Sequence, residues 1–393
     1  MVDVESMPAA RDDVRTLTFE PPAARADPRT ETLTPESQAA LRQFSEDRLI
    51  GYGVDRSDAI ELTARVLAGE GWLDAATRLA ERCLANLDAA AEAGTQTRIT
   101  ALRRASALLR MSQVMMLEDG PARTAIYARA GDLYLRAAEI ACDRIRVTLD
   151  TPEGAVVGWQ VPATGPRVGA AIVIGGVEGY AMDFDCIGDA LAARGIETLL
   201  LDGPGQGESR FTHGVYLTPT WRDAYTAALD HLATSVPGLP IGVVGNSMGG
   251  SFAMAVANED PRVRACVDNG GIPAPWMVPP SIGTFFTKMA AFCDVDDPDQ
   301  ATAVWSTVTP LAPGGNADYD LLVIQGGADP MVSSEMAQAV FAHAPAKSKQ
   351  MVLFSDGIHC IYNHRTDRDD LIADWVHARL AADSHSDFDS DSE

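Results

Sequence analysis

The chain has 393 residues, 46% of them hydrophobic, ample for a large core in two or three domains or one enlarged one. Its formal net charge of -24 repels nucleic acid and anionic lipid, so neither is expected as a partner. No apolar stretch reaches the roughly eighteen residues of a membrane span.

Residues 1–35 are rich in Pro, Arg and Asp without periodicity, which predicts a loosely ordered lead-in. Residues 1–20 mix acids with arginines and lack the apolar segment of a secretory signal. Six cysteines (Cys83, Cys142, Cys186, Cys266, Cys293 and Cys360) are scattered with no C-x-x-C pair, as expected of a reducing cytoplasm. From 36 to 142 the pattern is helical. Trp72, Ala76, Leu79, Ala80, Cys83, Leu84 and Leu87 recur at three- and four-residue steps. Residues 102–116 read as another helix ended by Gly120-Pro121, and Ile126, Tyr127, Ala130, Leu133, Tyr134, Ala137, Ala138 and Ala141 make a further stripe. No clean repeat period emerges, so these helices are expected to form an all-helical block packed on something else.

At Arg144 the texture changes, and 143–382 reads as a second domain. Residues 144–149 and 156–161 flank a turn at Pro152-Glu153-Gly154, a hairpin. Strand-like runs then appear at 168–174, 196–201, 241–244, 263–267, 321–324 and 350–354. Helix-like runs at 185–194, 221–234, 251–258, 334–343 and 367–380 alternate with them. That alternation predicts an α/β fold: a mainly parallel sheet with helices on both faces. A long insertion at 268–319, Pro- and Met-rich at 273–280, is expected to form a lid over about 270–318. The acidic tail, 383–393, has almost nothing to bury and is expected to be disordered.

Gly245-Asn246-Ser247-Met248-Gly249 fits G-x-S-x-G between the apolar 241–244 and the helix-like 251–257. In that strand–turn–helix context the motif means a nucleophile elbow, with small neighbours around a strained serine. A serine hydroxyl needs a base to take its proton and an acid to orient the base. In an α/β-hydrolase fold these follow in the order Ser, Asp or Glu, His, each beyond a strand end. Asp329 follows the strand 321–324, and His359 follows 350–354. Asp268, at the end of another strand, is the competing acid, and Asp329 also reads as a cap for the helix near Ser334. His364 heads into the last helix, and no His and carboxylate set has metal-ligand spacing.

An oxyanion hole is expected from the amides of Met248 and of Val177, in the loop Gly175-Gly176-Val177-Glu178-Gly179-Tyr180. Glu178 has two readings: an anchor for that loop, or a group holding a substrate hydroxyl or handling a proton. Tyr180, with Trp276, Met277 and Phe285 in the insertion, are candidate contacts for a greasy or aromatic small-molecule substrate, although core packing explains such residues equally well. Asp202-Gly203-Pro204-Gly205-Gln206-Gly207-Glu208-Ser209 lacks both G-x-G-x-x-G and a P-loop lysine, so it reads as a tight structural loop beside the site.

Gly-Gly-Val-Glu at 175–178, Asp-Gly-Pro-Gly-Gln-Gly-Glu at 202–208, Gly-Asn-Ser-Met-Gly-Gly at 245–250, Gly-Gly-Ala-Asp at 326–329 and Gly-Ile-His-Cys at 357–360 together resemble the 2,6-dihydroxypseudooxynicotine hydrolase family. They are also similar to fermentation-respiration switch proteins and to fungal enzymes that shorten pigment polyketides. The resemblance spans about 144–380, and the helical block before it matches the family's N-terminal cap in kind. It implies an α/β-hydrolase with a triad of Ser247, Asp329 and His359, and with Glu178 contributing to catalysis. It also implies cleavage of a carbon–carbon bond next to a ketone, no cofactor, and a homodimer. Competing readings are elimination of an acyloxy group on the same residues, and a non-catalytic regulatory binder.

Overall fold

The computed structural model describes residues 13–17, 33–89 and 93–389, with side chains through 382. Nearly uninterrupted apolar runs set the frame. Strands β1 (Asp13–Leu17), β2 (Ile145–Thr151), β3 (Gly154–Val161), β4 (Gly169–Ile174), β5 (Ile196–Asp202), β6 (Ile241–Asn246), β7 (Val263–Asn269), β8 (Asp320–Gly326) and β9 (Ser348–Phe354) form one sheet. Their order is β1-β9-β8-β7-β6-β4-β5-β3-β2. Pairing is parallel from β1 across to β5, and the β2–β3 hairpin closes the far edge antiparallel.

Alternate side chains go to opposite faces, as the two-residue repeat of a strand requires. Ala171, Val173, Leu200, Val244, Leu322 and Ile324 join one core cluster; Ile172, Leu199, Leu201, Val243, Leu321 and Val323 join the other. The first cluster continues without a break into the N-terminal helices α1 (Pro35–Gln43), α2 (Glu46–Gly51), α3 (Arg56–Leu67), α4 (Trp72–Ala89), α5 (Thr95–Ser112) and α6 (Pro121–Ala141). On the same side lie α7 (Asp185–Ala192) and α14 (Arg365–Asp389), while α9 (Arg222–Ser235), α10 (Met248–Ala257) and α13 (Ser334–His343) cover the other face.

The first three helices are short and start on side-chain caps. Thr34 Oγ1 accepts from the Ser37 amide (3.2 Å), Ser45 Oγ from Arg48 (3.2 Å) and Asp55 Oδ1 from Ser57 (2.9 Å). Each satisfies an amide that the helix start leaves unpaired. The cap is tied down by charge as well as by packing. Arg110 on α5 donates to Asp183 Oδ1 at 2.7 Å, both side chains being buried, and also reaches the carbonyls of Tyr52 and Met182. Tyr134 of α6 stands edge-on to Trp159 of β3 with ring centroids 4.6 Å apart.

Three segments differ from the sequence expectation. Within the expected lead-in, Asp13–Leu17 adds an edge strand in register with β9, from Asp13 opposite Gln350 to Leu17 opposite Phe354. It is exposed along most of its length, so its place comes from backbone pairing and no apolar pattern announces it. Residues 1–12 and 18–32 lie outside the described residues. The disorder expected from 383 is corrected as far as Asp389, because α14 continues to that residue. A helix already nucleated and buried along its first turns extends at little cost per residue. Residues 390–393 lie outside the described residues. Finally, the tight loop after β5 turns into a short helix, α8 (Gly207–Phe211), and the insertion carries α11 (Thr284–Phe292) and α12 (Pro298–Trp305).

Candidate active site

Ser247 leaves β6 and caps α10 with φ 56° and ψ -131°, a conformation that residues other than glycine rarely hold. Its amide donates to the Asn269 carbonyl at 2.9 Å, and its own carbonyl accepts from Gly250 at 2.8 Å. The turn has no room for bulk. A Cβ at Gly249 would sit 2.3 Å from the Ile174 carbonyl oxygen and 2.5 Å from that of Gly175. Met248 opens α10, so its amide has no acceptor within the helix.

The loops after β8 and β9 meet this turn at the C-terminal edge of the sheet, where open α/β sheets hold ligands. His359 Nε2 lies 2.8 Å from Ser247 Oγ, and its Nδ1 lies 2.8 Å from Asp329 Oδ2. The other oxygen of Asp329 accepts from the amides of Met331 (2.8 Å) and Val332 (3.0 Å), which fixes the carboxylate. The cap reading of Asp329 is corrected: Ser333 caps α13, its Oγ accepting from the Met336 amide, while one oxygen of Asp329 serves the preceding turn and the other the imidazole. Burial by itself lowers the His359 pKa; Cys360 and the Asp329 carboxylate outweigh it and carry it to about 10.

The competing candidates are elsewhere occupied. Asp268 Oδ1 accepts from the Gly271 amide at 2.8 Å, and burial pushes its carboxyl up to about 7. His364 pairs with Asp356 through Nε2 at 2.8 Å.

Above Ser247 runs the loop after β4. A Cβ at Gly176 would come within 2.9 Å of Ser247 Cβ, so only glycine lets the loop approach this closely. Gln206, from the loop after β5, donates through Nε2 to the carbonyls of Gly175 (2.7 Å) and Gly176 (3.0 Å). In a trans peptide the N–H points opposite to the C=O. Drawing the Gly176 carbonyl toward Gln206 therefore turns the Val177 amide the other way. The loop after β5 is itself held by Asp202, whose carboxylate accepts from Ala181 and Glu208, each at 2.8 Å.

A cavity of about 310 Å³ opens onto Ser247 and His359, with Val177, Glu178, Phe285 and Lys288 in its walls. Glu178 points between two cations. Arg48 Nη2 is 3.6 Å from Oε2, and Lys288 Nζ contacts Oε1. The Tyr52 hydroxyl, which Arg48 holds, donates to the Glu178 carbonyl at 2.8 Å. Burial, then the charges of Arg48 and Arg123, lower the Lys288 pKa, while the Glu178 carboxylate in direct contact with Nζ opposes them and holds the ammonium as one half of a buried ion pair. Among the described residues no group of three or more His, Cys, Asp or Glu has metal-site geometry.

Of the four candidate substrate contacts only Phe285 lines this cavity. Tyr180 is corrected to a loop support: its ring stands edge-on to Tyr127 and Phe211, and its hydroxyl turns back to the Val177 carbonyl. Trp276 packs into the apolar cluster on the far face, and Met277 is 72% exposed. Their aromatic or thioether character is satisfied by packing or by the surface. Sequence reasoning missed Arg42, Arg48, Lys288 and Gln206. Only Gln206 belongs to a recognisable motif, the glycine-rich 202–209; the cations come from α1, α2 and α11, which no spacing links to the serine.

The serine aminopeptidase S33 family model matches residues 165–292, about a third of the chain, including Ser247 but ending before Asp329 and His359. The chain is 28% identical over 272 residues to 2,6-dihydropseudooxynicotine hydrolase of Paenarthrobacter nicotinovorans, covering 65% of this chain and 70% of that one. The crystal structure of 2,6-dihydroxy-pseudo-oxynicotine hydrolase superposes with a TM-score of 0.71 at 24% identity, over 86% of this chain and 96% of the other. The chain has the α/β-hydrolase fold and is similar to that enzyme. The chain is also 29% identical over 254 residues to the α/β hydrolase ucsC of Acremonium sp, covering 56% of this chain and 51% of the relative. Its fold matches AbyA5 with a TM-score of 0.63 at 17% identity, over 78% and 85% of the two chains. Among its described residues no helix is long and apolar enough to cross a membrane.

Proposed function

We propose that this hydrolase cleaves an acyl bond of a small molecule, an ester or a carbon–carbon bond next to a ketone, with Ser247 as nucleophile. The observation that carries the reading is the unbroken chain Ser247 Oγ, His359 and Asp329, linked by two 2.8 Å contacts. His359 Nε2 takes the hydroxyl proton as Ser247 Oγ bonds to the carbonyl carbon, and Asp329 steadies the imidazolium. The carbonyl oxygen becomes an oxyanion between the Val177 and Met248 amides. Each such donor contributes about 3 kcal/mol to transition-state stability. When the tetrahedral adduct collapses, the leaving group departs as alkoxide or enolate and takes the proton from His359. Water then attacks the acyl-enzyme, giving its proton to His359, and the acid is released as Ser247 Oγ regains a proton. An enolate is the harder leaving group, and Glu178 with Lys288 in the same cavity supplies polar contact to it. A cytoplasmic setting fits the cysteines, which are all free thiols.

The test is turnover of a panel of aryl esters and 1,3-diketones in ¹⁸O-labelled water. One solvent oxygen in the acid product, and a loss of about a million-fold in kcat for Ser247→Ala, are expected. An alkene product without solvent oxygen would instead mean elimination. Full turnover by Ser247→Ala would remove the proposal.

A further inference from the structure

The cavity holds more positive than negative charge. Arg42, Arg48 and Lys288 line it, against the single carboxylate of Glu178. Asp329 is spoken for by His359 on the far side of the ring. Arg48 and Lys288 are 15% and 7% exposed and flank a carboxylate that is 10% exposed. Burying a charge costs several kcal/mol unless a partner offsets it, and one cation would be enough to anchor Glu178. The second is a surplus in the protein alone. Arg42 adds to it: exposed at the last turn of α1, it has no ion pair among the described residues.

The rest of the molecule makes this concentration of charge more pointed. With a net charge of -24, long-range attraction for an anion is absent, so any anion that binds here is held by local contacts. Lys288 is positioned for this from two sides: Nζ donates to Gln43 Oε1 at 3.0 Å and stands 5.8 Å over the Phe44 ring. Arg48 lies 4.7 Å from the centre of that same ring, and its Nη1 donates to the Gln43 carbonyl at 2.9 Å. The cap and the insertion therefore bring two largely buried cations and one exposed cation into the space that holds the serine.

We propose that the substrate is an anion: an acyl compound bearing a carboxylate or an ionised enol, whose negative charge Lys288 and Arg42 receive while its carbonyl faces Ser247. The inference rests on the hydrolytic reading of the same cavity and deepens it by naming the substrate class. Lys288 and Arg42 act as specificity residues; neither carries the bond cleavage.

The test measures binding, so that it stands apart from catalysis. Ser247→Ala protein is titrated calorimetrically with 4-oxo-4-phenylbutanoate and with its uncharged amide. A second pair sets ionised 2-acetylcyclohexane-1,3-dione against its enol methyl ether, which separates carboxylate from enolate recognition. At least one anion is expected to bind about tenfold tighter than its neutral partner, and the ratio to fall toward one in Arg42→Gln and Lys288→Met on the same background. Equal or tighter binding of both neutral compounds, no measurable binding of either anion, or a ratio unchanged in both variants overturns the proposal. Anion preference in a protein whose Ser247 proves inert would sink the hydrolytic reading alone. Conversely, Ser247-dependent turnover of neutral esters without anion preference would sink this one alone.

Discussion

His359 stands between the Ser247 hydroxyl and the Asp329 carboxylate, 2.8 Å from each. Burial opposes the charged ring, but Cys360 and Asp329 raise its pKa to about 10, above the ordinary 6.5. The base acts only when neutral, so kcat/KM is expected to climb with pH toward that value. Asp329→Asn removes the carboxylate; a pH–rate profile should show the limb shifted to lower pH and kcat reduced by about 10,000-fold. Asp268→Asn, whose side chain holds only the Gly271 turn, is expected to keep kcat within a few-fold. A profile that Asp268→Asn alters and Asp329→Asn does not would reassign the acid. The same shift bears on stability. A group with its folded pKa raised contributes stability that is full below the unfolded value of 6.5 and is lost as pH rises through about 10. The meeting of Ser247, Asp329 and His359 was legible because each follows a strand end, in the order that a serine-nucleophile reading requires. Lys288 and Arg48 were not, since their nearness to Ser247 is created by the packing of two helices, α11 and α2, that no spacing links to it.

The cap reaches the sheet through α5, and one ion pair there decides how firmly. Arg110 and Asp183 are both buried, and burial pushes the Asp183 carboxyl up against the opposing pull of Arg110. Arg110→Met leaves an unpaired buried carboxylate and is expected to cost about 3–5 kcal/mol. Arg110→Met with Asp183→Leu should recover most of that loss, measured as urea midpoints; equal midpoints for the single and double variants would contradict the account. Element by element, the sequence was readable wherever period and length agreed. The strand-like runs at 196–201 and 263–267 appear as β5 and β7 with ends moved by a residue or two, and 334–343 matches α13. Pairing without periodicity was unreadable: β1 has no buried face, and α8 is five residues of a glycine-rich loop.

Across the molecule, the helical cap and one face of the sheet belong to a single apolar cluster that runs from Phe44 and Trp72 through Trp159 to Phe354. A common core couples the two layers, so unfolding in urea is expected as one transition, with far-UV circular dichroism and tryptophan fluorescence superimposing. Two separated transitions would mean that the cap folds as an independent unit. The coupling matters for function because the cavity is shared: its floor is Ser247 and His359 at the sheet edge, and its cationic walls come from the cap and the insertion. That the serine is an activated nucleophile is the claim on which the rest depends. The direct measurement is mass mapping of the protein after exposure to a fluorophosphonate. One adduct per chain on Ser247 is expected, formed far more slowly in His359→Ala. A folded protein that stays unlabelled, or that labels at the same rate without the imidazole, would contradict it.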